Sequence, residues 1–188
     1  AAGISNDVEA DDTIYELVKA RLPWLFLGLL GGLGSVFILQ DFESVMEQPR
    51  LRNLFFYTPL IAAMAGNVGV QSSAIIVQGL ANNTIIGPVV ERLLKELSLS
   101  LLNGIILSVI LLAGSYFLLG YEIHVGYTVS IALLSVIIMA SLIGTFIPII
   151  LNKYGVDPAL ATGPFITTSN DILGILTYFT IAKIILGI

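Results

Sequence analysis

Two short stretches place hydroxyls, amides and a carboxylate inside long apolar runs. The first is GPFITTSNDILG, residues 163–174, where Asp171 follows Thr167, Thr168, Ser169 and Asn170 and precedes Ile172 and Leu173. The second is PLIAAMAGNVGVQSS, residues 59–73, which carries Asn67 and Gln71. At i and i+4 those two amides share one helix face. The same spacing predicts a common face for Thr167, Thr168, Asp171 and Gly174. Gly66 and Gly69 permit close backbone approach beside the amides. The chain has no cysteine and one histidine, His124, so thiolate and histidine-cluster sites are excluded. An all-oxygen lining of this kind suits hard cations such as Mg²⁺, Ca²⁺, Mn²⁺ or Na⁺.

Depth is what makes Asp171 informative. It stands seven residues past Pro164, about 10 Å along a helix, and reads as the one carboxylate embedded in a span. A carboxylate at membrane depth costs about 2.5–3.5 kcal/mol on insertion scales, which water, a cation or a proton must offset. A structural carboxylate is the competing reading, but Lys183 is the one Lys or Arg inside a span, and it lies near the opposite interface. Asn67 and Gln71 also read as interhelical hydrogen-bond glue, as does Asn103. One Asp per chain is too few ligands for a dehydrated divalent ion. A two-fold dimer would bring two copies to one axis, and Mg²⁺, which dehydrates reluctantly, needs only acceptors around its waters.

The elements that must hold these groups are membrane helices. Of 188 residues 56% are hydrophobic and 11% charged, with a mean hydropathy of +0.96; a soluble domain carries about 25% charged residues. Net charge is −5, which offers no basic patch for nucleic acid. The expected fold is all-α, a polytopic membrane protein of five transmembrane helices. The expected spans run about Pro23–Gln40, Leu54–Leu80, Leu99–Leu119, Val125–Leu151, and from Ala159 or Pro164 to Leu186. Pro23 suits a first turn, and ANNTIIGPVVERLLKELS, residues 81–98, reads as a loop. The glycines at 28, 31, 32 and 34 form a small-residue packing face.

Lys19, Arg21, Arg92, Lys95 and Lys153 fall on one side of the membrane, and Arg50, Arg52 and Lys183 on the other. That bias places the N-terminus in the cytoplasm and the C-terminus outside. Residues 1–20 read as an acidic cytosolic connector, the end of a regulatory region lying outside these 188 residues, and 21–188 as the transmembrane pore domain. No nucleophile–base pair or catalytic metal triad is discernible, so an enzyme is not expected.

These motifs resemble the transmembrane domain of the MgtE family of magnesium channels and transporters. The resemblance rests on PLIAAMAGNVGVQSS, on GTFIPIIL (residues 144–151) and on GVDPALATGPFITTSNDILG (residues 155–174), and extends from about Leu17 onward. Ala65 stands where the family usually has Gly. The resemblance implies a homodimer in the cell membrane, its pore lined by spans two and five. It implies that Asp171 binds hydrated Mg²⁺ as both bound and transported ion; Asn67 and Thr167 or Thr168 are our expected acceptors around the hydration shell. It also implies a cation site at Asp157 of the DPAL segment, at the cytoplasmic mouth, and cytosolic CBS-type regulatory domains as partners, absent from this sequence. Flow down the electrochemical gradient is the expected mechanism. The alternative is a proton- or sodium-coupled carrier with Asp171 as the coupling carboxylate; a proton carrier would often show paired carboxylates, and the sequence offers one.

Overall fold

A computed structural model of the chain describes residues 11–43, 52–85, 87–161 and 163–187. Arg50, and residues 1–10 of the expected acidic connector, lie outside these residues. Among the described residues, five helices are long and apolar enough to cross a membrane: α1 (Ile14–Asp41), α2 (Thr58–Ala81), α3 (Val89–Phe117), α4 (Ile123–Lys153) and α5 (Pro164–Leu186). Short 3-10 turns at Arg52–Tyr57 and Pro158–Ala161 lead into α2 and α5. At 23–31 residues each, all exceed the roughly 20 that a bilayer requires.

Two boundaries differ from the sequence expectation. α1 begins at Ile14 and carries Pro23 inside it, running unbroken through residues 20 and 21. Thr13 starts it with a capping box: its N–H donates to Glu16 Oε2 at 3.0 Å, and Glu16 N–H donates back to Thr13 Oγ1. That reciprocal cap satisfies two orphan donors at once, and the hydrogen bond Pro23 removes is a tolerable loss in a membrane helix. α3 begins at Val89, so VVERLLKELS is helix and the loop shrinks to residues 82–88. Gly87 at φ +106° makes the turn, and Pro88, lacking a donor, sits just before the first helical residue.

α4 is the centre of the bundle. It packs on α2, α3 and α5, while α1 packs on α5 at the periphery. α2 and α3 both lie on α4 without close backbone packing on each other. The apolar core sits where α2 and α4 begin and α5 ends: Leu54, Ile61, Val129, Val136, Ile175 and Phe179 are all buried there. Phe179 stacks on Phe42, centroids 5.0 Å apart, and Tyr178 donates its hydroxyl to the Leu54 carbonyl at 2.8 Å. Polar side chains concentrate toward the other half.

Candidate cation site

In that polar half, α2 and α5 border a cleft of about 440 Å³ lined by Ala63, Gly66, Asn67, Gln71, Thr167 and Asp171, among others. Asn67 and Gln71, four residues apart, enter from α2 as their spacing predicts; Thr167 and Asp171, also four apart, enter from α5. Helical continuity through Gly66 and Gly69 keeps both amides on one line. Asn67 and Gln71 are exposed, and Thr167 and Asp171 half-buried, so the cleft opens on the surface of a single chain.

Small residues set the separation of the helices. A Cβ on Gly66 would come within 3.1 Å of Asp171 Oδ1 and 3.3 Å of Thr167 Cγ2. One turn away, Asn170 lies directly on Gly69, and Gly144 of α4 abuts the Gly69 carbonyl. Asn170 is fully buried, and neither of its polar side-chain atoms has a partner. On the other flank, a Cβ on Gly174 would sit 2.7 Å from the Ala65 methyl. The bare Gly174 therefore accommodates the alanine that departs from the family pattern.

The remaining expected residues lie apart from this cleft. Thr168, one residue after Thr167, is rotated about 100° around the helix and packs against Gly31 of α1, with its Oγ1 near Gly28. Its face is therefore not the face of Thr167 and Asp171. Gly34 also meets α5, at Ile172, while Gly32 meets nothing; most of the glycine face is thus used within one chain. Asp157 is exposed in the turn before α5, where Oδ1 accepts the Ala159 N–H at 2.9 Å. Among the described residues, no three His, Cys, Asp or Glu side chains converge as a metal cage. Asp171 faces its cleft as a single charge.

Asp171 is not the one embedded carboxylate. Glu96 on α3 is 5% exposed and accepts the Ser72 hydroxyl of α2 at 2.6 Å. It stands seven residues past the start of α3, as Asp171 does in α5, and both helices start from the same side. The charges of ERLLKE disguised the helix start. The available signal was the stripe Glu96, Ser100, Gly104 and Ser108 at four-residue spacing, all buried, which is a small-residue packing face.

The chain matches a family model described as "MgtE: Divalent cation transporter" over residues 58–181. It is 38% identical over 182 residues to the magnesium transporter MgtE of Bacillus subtilis, covering 96% of this chain and 40% of that protein. It is 34% identical over 186 residues to the protein of the same name from Thermus thermophilus, covering 95% and 40%. A third, from Enterococcus faecalis, is 32% identical over 185 residues, covering 97% and 40%. The chain thus spans about 40% of the length of these curated relatives.

Proposed function

Because the chain belongs to the MgtE family of divalent cation transporters, we propose that its α2–α5 cleft is half of a pore that passes hydrated Mg²⁺ down its electrochemical gradient. The observation that carries the proposal is the cleft itself, with one carboxylate, one hydroxyl and two amides on facing helices, open on one side. Asn67 and Gln71 would meet lipid if that side stayed uncovered, which membrane helices avoid. A second copy related by a two-fold axis covers them and brings a second Asp171 to the same axis. The homodimer thereby doubles the negative charge without crowding the ion.

Hydration decides the chemistry. Mg²⁺ holds its water at about 2.0–2.1 Å and gives it up reluctantly, so Asp171, Asn67 and Thr167 act as acceptors for those waters. Thr168 holds α1 on α5 beside them. Asp157, exposed in the turn before α5, supplies a negative charge at the cytoplasmic mouth. The Lys/Arg bias supports a cytoplasmic position for this mouth and for the N-terminus. CBS-type regulatory domains and the acidic connector of residues 1–20 belong to the same proposal, supported by relatives more than twice this length.

The second reading is a coupled carrier. Glu96 gives it an observation, since the chain does hold a second embedded carboxylate. Flux into proteoliposomes separates the two. A channel carries Mg²⁺ under imposed voltage with no proton or sodium gradient, whereas a coupled carrier requires one. No Mg²⁺ flux under any of these gradients would overturn both.

A further inference from the structure

A second polar cavity, about 390 Å³, lies between α2, α3 and α4, with Glu96, Ser72, Ser100, Asn103 and Ser141 on its walls together with Asn67 and Gln71. It occupies the gap left where α2 and α3 rest on α4 but not closely on each other. The Ser72–Glu96 hydrogen bond at 2.6 Å spans that gap. An ionised carboxylate offers about four acceptor positions, and the Ser72 hydroxyl fills one of them. The basic residues of the same helix turn elsewhere: Arg92 and Lys95 line a separate pocket with Gly79 and Thr84, and the Arg92 Nε has no partner. Glu96 thus sits at membrane depth, itself buried, without a protein cation among the residues lining its cavity. At that depth a carboxylate is offset by a cation or a proton.

We propose that this cavity binds one monovalent hard cation, Na⁺, against the Glu96 carboxylate, with serine hydroxyls and amide oxygens completing the shell. The charge count selects a monovalent ion, because Glu96 is the one charged group on the walls, and a divalent ion would leave a net positive charge in low dielectric. The strong field of a carboxylate favours the smaller Na⁺ over K⁺. Asn67 and Gln71 line both cavities, so an ion at Glu96 also fixes amides that face the Asp171 cleft.

Radiosodium binding to the purified full chain tests it, with choline as the inert replacement cation and K⁺ as competitor. The expected result is saturable Na⁺ binding in the wild type and in Asp171→Asn alike, displaced weakly by K⁺, and weakened about tenfold or lost in Glu96→Gln. Absence of saturable binding in the wild type overturns the proposal, as does equal binding by folded Glu96→Gln. Binding lost in Asp171→Asn but kept in Glu96→Gln also overturns it, by placing the ion in the α2–α5 cleft. If Glu96→Gln yields no folded protein, the double variant Ser72→Ala/Ser141→Ala replaces it. That variant keeps the charge and removes two shell oxygens; several-fold weaker binding is expected, and unchanged binding overturns the site.

Discussion

The carboxylate of Asp171 rests over the bare Cα of Gly66, where a methyl group would come within 3.1 Å of Oδ1. The glycine therefore belongs to the proposed ion site, although it has no ligand atom. Gly66→Ala should push Asp171 off its position while leaving the bundle folded, since the carboxylate swings more easily than a backbone. A rise of about 1.4 kcal/mol in the barrier the ion crosses is tenfold in rate. Mg²⁺ flux should fall about tenfold or more, with the melting temperature in detergent little changed. Unchanged flux would show that the cleft tolerates a displaced carboxylate.

How far this was legible from sequence differs between the two helix faces. The i, i+4 spacing of Asn67 with Gln71, and of Thr167 with Asp171, predicted two polar lines, and the fold sets them across one cleft. Spacing fixes faces within a helix but not which neighbour each face meets. Thr168 shows the limit: its chemistry matches Thr167, yet its side chain packs on Gly31. Glu96 shows another, because a helix starting in a charged segment looks like a loop until its buried stripe is followed back. Pro23 misled for a related reason; a proline fits a first turn, but the cap at Thr13 had already begun the helix.

The Gly31–Thr168 contact gives a test of the α1–α5 packing. A Cβ on Gly31 would collide with Thr168 Cγ2, an atom that serine lacks. Gly31→Ala should lower stability by about 1–3 kcal/mol, and Gly31→Ala/Thr168→Ser should recover most of it. Thermal unfolding of the four proteins forms a double-mutant cycle. Additive effects would contradict the contact.

Cysteine cross-linking tests the two-fold arrangement, and a chain without cysteine allows it cleanly. Ala63 is exposed and lines the open side of the cleft. Leu102 of α3, 60% exposed, is the lipid-facing control. In membranes, Ala63→Cys should form an oxidised dimer and Leu102→Cys should not. Cross-linking at Leu102 alone, or a monomer that still passes Mg²⁺, would contradict a pore closed by two α2–α5 clefts.

In the proposed pore the charge of Asp171, and not its shape, admits the ion. Asp171→Asn keeps size and hydrogen bonding but removes the field that draws a divalent cation into a low-dielectric constriction. It also removes the insertion cost of about 2.5–3.5 kcal/mol carried by a charged side chain, so the variant should fold and insert at least as well as the wild type. The measurement is voltage-driven Mg²⁺ flux into proteoliposomes holding equal amounts of folded wild type and Asp171→Asn. Asp171→Asn should lose most Mg²⁺ flux with its dimer intact. Wild-type Mg²⁺ flux through folded, dimeric Asp171→Asn would contradict it.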